Sequence, residues 1–215
     1  VMLTASSVDL RALAAEYGGI GDATGYKISP GGYLGEIITN TDAGNQKVTS
    51  ASFKMVQVAG VPYNYVAYIY ENPTETNNPQ SGVLRKTVTG SISQTAQTEE
   101  STIDIAIGDG DDGKPIVLTP NEKLGVAIML SGNADEIQYY EKGTSETGNG
   151  YRRLTPTSSW EKRGDIVLVQ TETYANEPND LTSISLNPDT TFLTIGDEDV
   201  ALNTTYAPNY KRTIP

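Results

Sequence analysis

The sequence predicts a nearly all-β protein, an antiparallel two-sheet sandwich with one short helix ahead of it. Three observations predict this. From residue 26 onward short apolar runs recur between clusters of Gly, Pro, Asn and Asp, the pattern of sandwiches and barrels. Several of those runs alternate apolar and polar residues with period two, which buries one face of a strand and wets the other. Only residues 8–17 carry helical spacing, through Val8, Leu10, Leu13, Ala14 and Tyr17, with Ser7 as cap and Gly18 and Gly19 as stop.

The strands expected in order are 33–39, 47–58, 64–71, 83–90, 102–107, 115–118, 124–131, 136–141, 151–154 and 164–173. In 102–107, Ile103, Ile105 and Ile107 share a face. In 64–71 the inward set is Tyr65, Ala67 and Ile69, leaving Val66, Tyr68 and Tyr70 on the other side. Leu124, Val126, Ile128 and Leu130 interleave with Gly125, Ala127 and Met129, and 166–169 is apolar on both faces, so these two runs belong at the centre of their sheets. Ile103, Ile105, Leu124, Val126, Ile128, Ile166 and Leu168 are the expected core. Polar loops at 72–82, 108–115, 131–136 and 142–150 separate the runs.

Length and composition suit this class. The chain has 215 residues, 37% apolar and 20% charged, enough for one sizeable core and a further fragment. The organisation expected is an arm with the helix (1–32), the sandwich (33–174), an acidic Pro-containing linker (175–180) and a separate C-terminal piece (181–215). No run approaches the ~20 apolar residues of a membrane helix, so membrane insertion is not expected. A net charge of −12 repels phosphate backbones and anionic lipid, leaving neutral glycans, proteins and cations as partners and excluding nucleic acid. With no cysteine and no histidine, the common nucleophile–imidazole and zinc chemistries lose their usual groups, and the expectation is a protein that is not an enzyme.

Residues 181–210, LTSISLNPDTTFLTIGDEDVALNTTYAPNY, resemble the opening strands of a group-2 bacterial immunoglobulin-like domain, with Ile184, Leu186, Pro188, Leu193, Ile195, Gly196, Asp197, Leu202, Tyr206 and Pro208 in the family's places. One extra residue separates the glycine from Leu202, and the chain stops before the family's Trp-containing strand. Residues 47–71, 79–84, 118–130 and 150–169 resemble the jelly-roll modules of bacterial surface proteins, glycan-active secreted proteins and phage fibres, through Phe53, Ile69, Tyr70, Gly82, Leu84, Leu118, Leu124, Tyr151, Trp160, Gly164, Asp165 and Val167. The resemblance implies a jelly-roll-like sandwich of about residues 26–174, followed by an incomplete Ig-like domain. It implies an extracellular setting on a virion or bacterial surface, membership of an oligomer or larger assembly, and either a host-surface glycan or neighbouring subunits as partner.

Thirteen tyrosines against two phenylalanines skew the chain toward rings with a polar tip. Tyr68, Tyr70, Tyr139, Tyr140, Tyr151 and Trp160 are the candidates for a sugar-stacking face; the alternative is that they cap the core with their hydroxyls in water. The loop Asp109-Gly110-Asp111-Asp112-Gly113 offers oxygen donors for calcium through Asp109, Asp111 and Asp112, or is a solvated acidic turn. Asp135 and Glu136 would be the acids of a carboxylate-only glycoside hydrolase, a third reading. Asn203-Thr204-Thr205 fits a glycosylation sequon, with strand filling as its plainer role.

Overall fold

Alternating apolar residues form strands because a pleated strand buries every second side chain, and the computed structural model shows thirteen among the residues it describes. It describes residues 15–56, 63–92, 100–132 and 137–174; residues 181–210, expected to open an Ig-like domain, Asp135, Glu136 and the sequon lie outside them. The strands are β1 (Ala15–Gly18), β2 (Ala23–Ile28), β3 (Tyr33–Thr39), β4 (Gln46–Val56), β5 (Tyr63–Glu71), β6 (Val83–Ile92), β7 (Glu100–Ala106), β8 (Val117–Leu118), β9 (Lys123–Gly132), β10 (Ile137–Glu141), β11 (Gly150–Arg153), β12 (Glu161–Arg163) and β13 (Val167–Thr173).

They pair antiparallel into two sheets. The six-stranded sheet runs β12-β11-β3-β9-β5-β6. The seven-stranded sheet is organised on the long strand β4, which takes β13 and β10 along one edge and β7 and β8 along the other; β1 extends it beyond β13 and β2 beyond β10. The chain passes from one sheet to the other repeatedly between β2 and β13, so neither sheet is complete without residues from both ends of the domain.

The helix expected over 8–17 is corrected where it can be seen. Residues 15–17 are strand, in β1, which pairs Ala15 with Thr171 and Tyr17 with Val169; residues 8–14 lie outside the described residues. Pairing won because β13 has an open edge whose backbone groups need partners, whereas a helix this short is marginal in isolation. Residues 15–28 thus enter the seven-stranded sheet. No helix among the described residues is long and apolar enough to cross a membrane.

The core lies between the sheets. From the six-stranded sheet come Leu34, Ile38, Ala67, Ile69, Leu124, Val126, Ile128 and Leu130, and from the other Val48, Ala51, Phe53, Met55, Ile105, Ile137, Tyr139, Val167 and Val169. In β4 the inward residues change parity, from Val48 to Ala51, Phe53 and Met55, because the pairing to β13 slips between Gln170 and Thr171. One extra residue at such a bulge restores the apolar side chains to the inner face. Ile105, Leu124, Val126, Ile128 and Ile166 are buried as expected; Ile103 is partly buried against the core, and Leu168 faces outward opposite Ser52 and Gly18. Both β9 and β13 are flanked on two sides, as their doubly apolar runs predict.

Candidate functional site

Register across the six-stranded sheet places the outward residues in rows. Tyr151 sits beside Gly35, then Ala127, then Tyr68 and Thr87. The next row runs through Arg153, Tyr33, Met129 and Val66, with Trp160 packed against its first two members. Tyr33 packs edge-on against Trp160, with ring centroids 6.0 Å apart at 66°, and lies 6.4 Å from Tyr68. The guanidinium carbon of Arg153 is 4.3 Å from the Tyr33 ring centroid and 5.2 Å from that of Trp160, within cation–π range of both.

Small residues shape this face. A side-chain carbon at Gly35 would come within 2.9 Å of Pro79 and 3.0 Å of Trp160, and one at Gly125 would overlap the Pro79 carbonyl. The 72–82 loop therefore settles directly on the sheet, with Pro73 and Pro79 buried. It is pinned by the Tyr151 hydroxyl, which donates to the Thr76 carbonyl at 2.6 Å, while Gln80 Nε2 reaches the Tyr70 hydroxyl at 3.4 Å. The result is an aromatic platform of Tyr33, Tyr68 and Trp160 walled on one side by Pro79. Burial holds the phenols of Tyr68 and Tyr70 above their usual range, so both are neutral hydroxyls able to donate or accept.

A further test of this geometry is Gly125→Ala. The added methyl meets backbone, so the 72–82 loop must lift; a stability loss of about 1–3 kcal/mol, the usual cost of overpacking, is expected, together with a shift in fluorescence of Trp160, the chain's single tryptophan. Unchanged emission and an unchanged melt would show that the loop does not rest where the glycines allow it to.

Of the six aromatic candidates, Tyr68, Tyr70, Tyr151 and Trp160 share this side of the six-stranded sheet. Tyr139 and Tyr140 do not. Tyr139 lies in the core, with its hydroxyl donating to Glu141 Oε1 at 2.8 Å, and Tyr140 is buried on the other sheet beneath Lys54, whose ammonium is 4.3 Å from the ring, with its hydroxyl donating to Glu100. Consecutive residues of one strand point to opposite faces, and β10 belongs to the seven-stranded sheet, so neither can reach the platform. Tyr33 and Arg153 were not anticipated. Tyr33 alternates with the core residue Leu34, and Arg153 stands two residues from Tyr151, so period two alone marks both as outward.

The 109–113 loop packs against β6. Asp111 N donates to the Arg85 carbonyl at 2.7 Å and Asp111 Oδ2 accepts from Thr87 N at 3.1 Å, which covers part of the outer edge of β6. Its three carboxylates spread to separate cations: Asp109 to Lys47 at 3.7 Å, Asp111 to Lys86 at 3.6 Å and Asp112 to Arg85 at 3.3 Å. Arg85 is also paired with Glu71. Among the described residues no three potential ligands gather closely enough to hold a metal ion. Occupying an edge strand's free backbone groups in this way guards it against unwanted pairing.

A separate cavity of ≈ 330 Å³ opens near β1 and β3, lined by Tyr17, Gly18, Ile38, Thr39 and Asn149 among others. Its phenol is already engaged, 2.6 Å from Asp42 Oδ2 and 2.9 Å from Asn40 Oδ1.

No protein-family model matches the chain, and no curated protein matches it. Solved structures do. A clostridial cysteine protease after propeptide cleavage is similar over 75% of this chain and 40% of its own, at 12% identity and a TM-score of 0.49. The structure of infectious bursal disease virus, Gx strain, is similar over 83% of this chain and 45% of its own, at 10% identity and a TM-score of 0.33. A crystal structure of that virus's particle gives 83% and 44%, at 9% identity and a TM-score of 0.36. The chain spans less than half the length of each. Similarity at this level carries no activity, substrate or partner with it. The expectation that the chain is not an enzyme is withdrawn: the missing cysteine and histidine exclude a Cys–His pair within these residues and nothing wider.

Proposed function

We propose that this chain is a jelly-roll-like display module of a virion, which holds carbohydrate on the outer face of its six-stranded sheet. The observation that supports the reading is the convergence of Tyr33, Tyr68 and Trp160 on one face. Sugar rings have apolar C–H faces and polar rims, and they suit planar aromatics flanked by donors and acceptors. Here the flanking groups are the Tyr68 and Tyr70 hydroxyls and the Gln80 side chain, with Pro79 as the wall. The platform is built on strands and pinned by the Tyr151–Thr76 hydrogen bond, so little ordering is needed on binding. The virion setting is supported by the sandwich joined in sequence to an Ig-like opening at 181–210, a pairing suited to fibres and spacers.

The experiment is a glycan array on the whole chain, followed by fluorescence titration of any hit, since the single tryptophan lies in the platform. Trp160→Ala is expected to weaken binding about tenfold, the equivalent of ~1.4 kcal/mol, without unfolding the sandwich. An array with no glycan above background would sink the reading. A second reading, a virion subunit with no ligand, is favoured by Val83 and Leu84 at the start of edge strand β6, which are 65% and 46% exposed and suit a subunit contact. It predicts that charge placed at both positions lowers incorporation into the particle.

A further inference from the structure

The charges on the β11–β12 hairpin say more about the ligand than the aromatic rings do. In a chain of net charge −12 this hairpin carries Arg152, Arg153, Lys162 and Arg163. Two of the four are neutralised: Arg152 pairs with Glu161, and Arg163 with the buried Glu141 at 2.6 Å. The other two have no acidic partner among the described residues. Both lie on the platform side, since Lys162 stands opposite Tyr151 and Arg153 lies against Tyr33 and Trp160. Arg153 is held in place by Tyr33 and Trp160, and its Nε is buried with no hydrogen-bond partner. A guanidinium has five N–H donors in a fixed fork that matches a carboxylate, and leaving a buried donor unsatisfied is costly.

We propose that the platform's ligand is an acidic sugar, whose ring stacks on the aromatic face while its carboxylate is taken by Arg153, with Lys162 adding to the local positive field. This rests on the carbohydrate reading above and narrows it to one chemical class. Charge-assisted contacts to a planar anion give orientation as well as affinity, and in a chain of net charge −12 a local pair of unneutralised cations is what lets an anion approach.

The test uses the whole chain and three probes of matched length: oligogalacturonate, its fully methyl-esterified form and a sulfated oligosaccharide. Binding is followed by Trp160 fluorescence and calorimetry. Oligogalacturonate is expected to bind at least tenfold more tightly than the ester. In Arg153→Gln that ratio should fall to about one, and in Arg153→Lys to an intermediate value, because a point charge replaces the fork. Lys162→Gln, which touches neither ring, should lower the ratio and the salt dependence without changing the melting temperature, so the proposal stays testable should Arg153→Gln destabilise the hairpin. Equal affinity for acid and ester would overturn this proposal and leave the carbohydrate reading standing. Tighter binding of the sulfated probe than of the carboxylate would overturn it in favour of a sulfate site, and no binding of any probe would overturn it outright.

Discussion

Phe53→Ala is expected to lower the stability of the domain by about 3–5 kcal/mol, the range for truncating a buried aromatic ring. Phe53 is 0% exposed and stands on β4, the strand around which the seven-stranded sheet is organised, flanked in register by Ile103 of β7 and Val167 of β13. Its ring meets Tyr65 of the opposite sheet edge-on, with centroids 6.3 Å apart at 78°, so the truncation removes a contact that joins the two layers, worth about 0.5–1.5 kcal/mol beyond area burial. The neighbours are strands held by backbone ladders and cannot collapse far into the space, which places the cost toward the upper end. At ~2–4 °C per kcal/mol for a domain of this size, the melting temperature should fall by roughly 10 °C or more. Leu84→Ala, at an exposed position, should change stability by less than ~0.5 kcal/mol and serves as the control. A Phe53→Ala variant that melts with the control would mean the two layers are not packed as described.

Glu36→Gln should stabilise the protein at pH 8 and make little difference at pH 4. Glu36 lies on β3 between the core residues Leu34 and Ile38 and is 0% exposed. Its Oε2 accepts hydrogen bonds from the backbone N–H groups of Ile166 at 3.0 Å and Val167 at 3.3 Å, and its Oε1 is buried with no partner. Burial pushes the carboxyl well above its usual 4.5; the two N–H bonds pull it down, and the negative charge of Asp165 adds to the rise. The folded state therefore keeps a proton that the unfolded chain gives up near pH 4.5. Where the folded state binds more protons, stability falls as pH rises. The contribution of Glu36 is fully present below about 4.5 and is lost as pH climbs through the raised value. Glutamine is neutral throughout, keeps an oxygen for the two N–H groups and offers an amide donor where Oε1 lacked one. Thermal melts of both proteins from pH 4 to pH 9 should diverge steadily above pH 5, with the native chain the less stable. Parallel curves would show that Glu36 does not hold its proton.

Much of the six-stranded sheet was legible in the sequence because its strands alternate cleanly. The run 33–39 coincides with β3, and the inward trio Tyr65, Ala67 and Ile69 packs on the core as alternation requires. Even the bulge in β4 leaves a trace, in the change of parity between Val48 and Ala51. What failed shares a cause. The segment 15–17 has helical spacing, and nothing local announces that β13 offers it an edge. Leu168 looks like core, and only the register with β4 and β1 decides that Val167 and Val169 point inward while it does not.

The candidate site divides the same way. Period two places Tyr68 and Tyr70 opposite the inward set of their strand and leaves Tyr151 and Trp160 as candidates for the same face, and composition shows that the chain is acidic and carries no thiol or imidazole. Which sheet each aromatic belongs to is a matter of pairing between residues far apart in the chain. Strand order alone puts Tyr33, Tyr68, Arg153 and Trp160 side by side and sends Tyr139 and Tyr140 to the other layer. The acidic loop is likewise an oxygen-rich turn in sequence and becomes a cover for β6 only through Arg85, Lys86 and Lys47, which arrive from other strands. Periodicity is a local property, set by the two-residue pleat of the backbone, and so the sequence determines it; neighbourhood across a sheet is set by long-range register and loop closure, which no single segment encodes.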